Sequence, residues 1–356
     1  MSQEYLKIDG GKLEGGGQIL RIATALSGIT GIPVEIYNIR GKRPKPGLKA
    51  QHLTGIKALA DITNASVDGL QIGSKQITFA PSKRKGGFYK VDVKTAGSVA
   101  LLLQVLMPVA IFAPDRVHFR LIGGTTVKWS PPLPSVKFVL VPILKKLNIQ
   151  TQIDIIKHGF YPKGGGIVNT VIDPIKKLRS ISIDNLGKIE DIRGISYCAK
   201  LPEHVAIRQM KAVISELEQA SFQNIEIATE QIKDSLSPGS GITIWAKTNT
   251  GAIISSDAIG EKGKPAEVVG REVARKLLDT INSNSPVDSF LADQLIIYMA
   301  LAEGSSKIIT NKFTLHTKTA IEVCTQLTSA SFSVKDRSNN QVEITCNGIG
   351  FNNELL

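Results

Sequence analysis

The sequence predicts an α+β layered fold, and three observations carry that prediction. Two successive segments of nearly equal length read strand, helix, strand, helix, strand, strand. A third segment starts and finishes in the same way, with a differently paced stretch between its ends. The composition, 42% hydrophobic and 21% charged residues, is that of an ordinary globular protein, and 356 residues suffice for more than one core. Units of this kind bury helices against one face of a sheet.

In the first unit EYLKIDG reads as a strand, GQILRIATALSG as a helix and IPVEIYNI as a strand. KAQHLTGIKALADITNA follows as a helix, then GLQIGS and QITFAP as short strands. In the second, FYKVDVK, RVHFRLIG, QTQIDII and GGIVNTVID are strands, with SVALLLQVLMPVAIFA and SVKFVLVPILKKLNI as the helices. The third unit begins at SISID and resumes with DSFLADQLIIYMALAEG, SKIITN, HTKTAIEVCTQLTSA and a final strand NQVEITC. Between them GKIEDIRGISYCAK, NIEIATEQ, GITIWAKT and GAIISSDAIG read as strands, HVAIRQMKAVISELEQA and AEVVGREVARKLLDTI as helices. The expected organisation is therefore a large domain of three βαβαββ units, residues 1–186 and 283–356. A small α/β domain, 187–282, is inserted in the third.

The net charge of +12 points to a polyanionic partner, nucleic acid before acidic lipid. Three widely spaced cysteines, Cys198, Cys324 and Cys346, form no CxxC pattern and argue against a disulfide framework. The most apolar run, Val99–Ala113, is too short for a bilayer and contains Gln104 and Pro108. With a polar start and no leader pattern, the expectation is a cytoplasmic protein. GxxxxGK[ST], a strand leading into GxGxxG, HExxH and GxSxG are all absent.

Chemistry is concentrated in a few stretches. KLEGGGQILR places three glycines ahead of a helix, with Glu14 before them and Arg21 one turn in. Bare backbone N–H groups and the helix dipole favour anions there, whereas Glu14 repels bare phosphate. NIRGKRPKPGLKAQHL holds Arg40, Lys42, Arg43, Lys45 and Lys49 within ten residues, stiffened by Pro44 and Pro46. A charge run alone is a solvated loop. Arginine forks beside Arg21 also suit a triphosphate. Gln104, among apolar residues, is either a satisfied core amide or a ligand contact. HGFYPKGGG, joining two strands, reads as a tight turn or bulge. His118 alternates in a strand, and His52 and His204 lie in or near helices. His316 stands at a helix start, either as a cap or surface residue or as a nucleophile, since the positive dipole end disfavours imidazolium and would keep the ring neutral.

Taken together, EGGGQILR, IRGKRPKPGLKAQHLTG, TAGSVALLLQVLMP, HGFYPKGGG, FLADQL and the His316 helix resemble the RNA 3′-terminal phosphate cyclase family, in order and over nearly the whole chain. The resemblance implies an ATP-consuming enzyme with Mg²⁺ or Mn²⁺, acting on RNA that ends in a 3′-phosphate. His316 would be the nucleophile that takes AMP, and Arg21, Arg40 and Arg43 would neutralise phosphates. Glu14 would hold the metal, so that the glycine loop receives a metal–triphosphate. Gln18, Gln51, Gln104, Asp293 and Gln294 would line the ATP site, with adenine stacked between Phe290 and Pro131 of WSPP. Two departures from the family are Phe290, where tyrosine is common, and Ala320, where many relatives carry asparagine one turn after the histidine. The same superfamily contains a non-catalytic cyclase-like ribosome-assembly factor, which lacks the histidine and much of the arginine set. An enolpyruvyl-transferase-like enzyme would need two comparable domains. The oligomeric state, a homodimer included, is left open by the sequence.

Overall fold

A computed structural model describes residues 4–356. The first unit comprises β1 (Leu6–Asp9), α1 (Gly17–Thr30), β2 (Val34–Tyr37), α2 (Ala50–Thr63), β3 (Ser66–Asp68) and β4 (Ile77–Ala80). The second comprises β5 (Gly87–Asp92), α3 (Val99–Ala110), β6 (Val117–Gly123), α4 (Leu133–Ser135), a π segment (Val136–Leu140), α5 (Val141–Lys146), β7 (Thr151–Lys157) and β8 (Gly166–Ile172). Next come β9 (Ser182–Ile183), β10 (Ile189–Ala199), α6 (His204–Gln219), β11 (Ile225–Ile232), β12 (Gly239–Thr248), β13 (Ile253–Ile259) and α7 (Ala266–Asn282). The chain finishes with α8 (Ser289–Leu301), β14 (Glu303–Thr310), α9 (Leu315–Leu327), β15 (Ser331–Asp336) and β16 (Val342–Ile349).

Three of the four sheets share one plan. Their orders are β1-β2-β4-β3, β5-β6-β8-β7 and β9-β14-β16-β15. In each, the first two strands are parallel and the remaining pairings antiparallel. A parallel neighbour needs a helical crossover, so in the first two sheets α1 and α3 are dictated by topology. One apolar cluster runs through all three units, with Leu26, Leu106, Phe112, Leu295 and Val323 among its members. Helices α1, α3, α8 and α9 pack on one another within it.

Residues 189–282 build the fourth sheet, ordered β11-β10-β12-β13, with α6 and α7 against it. Strand β12 is buried on both faces because its neighbours belong to two cores. Ile242, Ile244 and Ala246 join the cluster under α6 and α7, while Trp245 stacks on Phe138 at 4.6 Å on the other side. No helix among the described residues is long and apolar enough to cross a membrane.

Three local expectations are corrected. The strand expected at GLQIGS lies just before it, at Ser66–Asp68, because Gly69 and Gly73 take positive φ and turn the chain. The helix expected from SVKFVLVPILKKLNI starts two residues early and carries the π segment, in which Val141 N–H reaches back to Val136 O immediately before Pro142, a residue with no N–H. The sequence pattern does not predict strand β15. Its side chains are almost all exposed, so it carries no apolar alternation to read.

Candidate active site

The chemistry-bearing residues gather at helix starts. Helices α1 and α2 follow strands β1 and β2, and α3 and α4 follow β5 and β6. Helices α8 and α9 supply Phe290, Asp293 and His316 in the third unit. Helix N-termini present free N–H groups and a positive dipole, the environment an anionic ligand needs.

At α1 the glycines make room for other side chains. A Cβ on Gly17 would collide with the His52 ring, and one on Gly16 with the Glu14 carboxylate and the Arg43 guanidinium. The Glu14 side chain is only 6% exposed. One of its oxygens pairs with Arg43, and the other accepts from Gly16 N–H at 2.7 Å. Glu14 N–H donates to Thr319 Oγ1 of α9 at 3.2 Å, which ties the glycine loop to the His316 helix.

His316 is the second residue of α9, whose first turn is capped by Thr314 accepting from Thr317 N–H at 3.1 Å. Its Nδ1 lies 2.7 Å from Gln18 Oε1. An amide oxygen only accepts, so Nδ1 carries the proton and Nε2 keeps its lone pair. Burial, then the charges of Arg21 and Arg43, hold this imidazole below its ordinary pKa. The ring is therefore neutral near pH 7. Ala320, one turn along, is buried. The contact that orients His316 comes instead from Gln18, 298 positions away in sequence.

Arg21 lies beneath this pair. Burial lowers its pKa to about 10, Asp293 opposes the shift, and its Nε is buried without a partner. Asp293 is raised to about 7 by burial, with Arg21 pulling it down and Asp288 pushing it up. Asp288 caps α8, accepting from Phe290 and Leu291 N–H at 3.0 and 2.9 Å and from Ser255 of β13. Beside it Asp257, also on β13, is raised to about 6 by burial and faces Ser135 of α4. These buried groups link Arg21, through Asp293, Asp288 and Asp257, to Ser135 of α4, just beyond Pro131. Phe290, 67% exposed, stands at the surface, and Gln294 donates to Phe290 O while its own Oε1 is buried and unpartnered.

Not every expected residue faces outward. Arg40, in a left-handed backbone conformation, donates to Lys45 O at 2.7 Å and Gly47 O at 2.9 Å, so its guanidinium braces its own loop. Gln51 accepts from Ser98 N–H at 2.7 Å and joins α2 to the start of α3. Gln104, for which the sequence offers either a core amide or a ligand contact, is half-buried on α3. Pro131 is half-buried just ahead of α4. His52 was passed over, although its place three residues after Lys49 at a helix start was a visible signal. Its Nδ1 accepts from Lys49 N–H at 3.3 Å, and burial with Arg21, Arg40 and Lys49 lowers its pKa to about 3. It is a neutral wedge under Gly17.

A family model described as RNA 3′-terminal phosphate cyclase matches residues 12–334. The chain belongs to that family. Relatives bearing the same description include proteins of Pyrobaculum aerophilum, 42% identical over 98% of this chain and 99% of the relative, and Pyrococcus furiosus, 45% identical over 92% and 94%. One from Methanopyrus kandleri is 47% identical over 85% and 87%. In this family member the glycine loop, the arginine loop and the His316 helix all lie inside the matched span.

Proposed function

We propose that the chain is an ATP-dependent RNA 3′-terminal phosphate cyclase working through a histidine–AMP intermediate. The observation that carries this reading is the His316 ring, held with Nε2 free by the 2.7 Å contact of Nδ1 to Gln18. In the first step Nε2 attacks the α-phosphorus of ATP, forming an N–P bond and expelling pyrophosphate. AMP then passes to an oxygen of the RNA 3′-phosphate, breaking the N–P bond. The vicinal 2′-OH attacks that activated phosphorus, closing the 2′,3′-cyclic phosphate, releasing AMP and giving up its proton.

Arg21 and Arg43 supply the positive charge that moves least during these steps, one buried and one at the surface. Arg40 acts through loop rigidity. Gln51 lies with the phosphate-facing arginines, Asp293 and Gln294 with Gln104 line the ribose or α-phosphate side, and Phe290 and Pro131 bracket the adenine. Among the described residues no three His, Cys, Asp or Glu side chains converge. A Mg²⁺ or Mn²⁺ ion accompanying the triphosphate would be held by Glu14 once its carboxylate exchanges Arg43 for the ion, because such ions bind through one or two carboxylates plus substrate oxygens. When bound, that ion would neutralise phosphate charge. We read residues 1–186 and 283–356 as the cyclase domain, 187–282 as its insertion, and the cytoplasm as its compartment.

The test is product formation. With ATP, an RNA ending in 3′-phosphate becomes phosphatase-resistant in the presence of wild type and stays sensitive with His316→Ala. Equal resistance with both proteins would remove His316 from the reaction. No resistance with either, while RNA still binds, would favour a non-catalytic cyclase-like RNA-binding factor.

A further inference from the structure

Trp129 stands out in the loop between β6 and α4. It is 95% exposed and sits at φ 63°, a left-handed conformation that bulky side chains rarely adopt. The loop around it is well pinned. Gly124 N–H donates to Gly97 O at 2.8 Å, Thr125 N–H to Gly159 O at 2.8 Å, Leu133 N–H to Thr125 O at 2.9 Å, and Ser130 Oγ to Val127 O at 3.0 Å. Lys128 anchors it to Glu261 of the inserted segment at 2.9 Å. A rigid loop thus holds a large aromatic ring in water, with neither burial nor backbone preference to favour it.

The surroundings point to a ligand. Thr126 bridges to Phe160, so this loop runs beside the HGFYPKGGG turn. That turn exposes Tyr161 (77%) and Lys163, and Lys163 N–H bonds Ser237 Oγ at 3.1 Å. Leu236 covers Gly165 and its carbonyl accepts from Lys200 at 3.4 Å. Among the described residues neither Lys163 nor Lys200 has an acidic partner within ion-pair distance. The patch joins the catalytic side directly, because Ser98, which donates to Gln51, bridges to Gly124 at the root of the Trp129 loop. Exposed aromatic faces with unpaired cations, on a chain of net charge +12, match the way proteins hold single-stranded nucleic acid without reading its sequence.

We propose that Trp129 and Tyr161 form a stacking platform for the unpaired bases just upstream of the RNA 3′ end, with Lys163 and Lys200 tracking the backbone. This rests on the reading of the chain as an RNA-end enzyme, and the two are separable because self-labelling by ATP requires no RNA. The protein carries its own probe. Its only other tryptophan, Trp245, is buried against Phe138.

The experiment titrates full-length protein with oligoadenylates of one, three and six nucleotides ending in 3′-phosphate, following tryptophan emission, and measures self-labelling from ATP on the same samples. The platform predicts quenching that tightens with length. Trp129→Ala should weaken hexamer binding about tenfold or more, well beyond any change in self-labelling, and Trp129→Phe should restore most of it. Length-independent affinity, or equal quenching by base-free polyphosphate, would overturn stacking. Loss of self-labelling in Trp129→Ala would put the residue in the nucleotide site instead. Self-association in sedimentation that Trp129→Ala abolishes would assign the patch to a second copy of the chain. If wild type binds and quenches as predicted but never self-labels, the platform stands and the cyclase mechanism falls.

Discussion

Two triple glycines, Gly15–Gly17 and Gly164–Gly166, look alike in sequence and do opposite work. In the first, the missing Cβ atoms make room for side chains: Lys42 beside Gly15, Glu14 and Arg43 beside Gly16, His52 beside Gly17. In the second they make room chiefly for backbone. A Cβ on Gly164 would meet Thr95 O at 2.6 Å and Ala96 Cα at 2.8 Å, and one on Gly166 would meet Gly159 N at 2.7 Å and Gly123 O at 2.9 Å. Side chains yield by rotation, whereas backbone in a packed turn does not. The first loop thus accommodates the side chains of the proposed site, and the second the backbone of the fold.

Gly17→Ala should reduce self-labelling strongly with a small loss of stability, since His52 can swing away. Gly166→Ala should cost about 1–3 kcal/mol in denaturant unfolding, with labelling per folded molecule preserved. Reversed outcomes would mean that the first loop is structural. Next in size, Gln18→Ala frees the His316 ring and should slow labelling about 10–100-fold, without changing ATP affinity. A rate equal to wild type would show that Gln18 does not set the tautomer.

The pH dependence sharpens the same point. His316 is held below its ordinary pKa, so its neutral form persists to lower pH, and the acid limb of labelling should lie below pH 6.5. Arg43→Gln removes one cause of that depression, so the normalised limb should move to higher pH. A limb already at or above 6.5 in wild type contradicts the electrostatic reading. The smallest effect belongs to Phe290, which is exposed and carries no core packing. Phe290→Leu should weaken ATP binding by about 0.5–1.5 kcal/mol and leave the melting temperature unchanged. Unaltered ATP affinity would take the ring out of the adenine site.

Much of this was legible in the sequence because strong signals are local. The helix starts at Gly17 and Leu315 and most strands carry apolar periodicity, and HGFYPKGGG was readable as a turn. What escaped reading depends on distance or on weak patterning. Strand β15 buries too little to leave an alternation, and it exists because β16 offers it an edge. The Gln18–His316 contact spans two units that only folding brings together. Arg40 looked like its neighbour Arg43, yet its backbone turns it inward onto carbonyls while Arg43 reaches Glu14. Composition counts cations and does not aim them.

The proposed mechanism requires His316 Nε2 to become covalently bonded to AMP. Wild type and His316→Ala are incubated with α-labelled ATP and a divalent metal, denatured, and the adducts mapped by mass spectrometry and by acid and alkali stability. Wild type should carry one acid-labile, alkali-stable AMP on His316, and the variant none. AMP on another residue, or an equal label on His316→Ala, would contradict it.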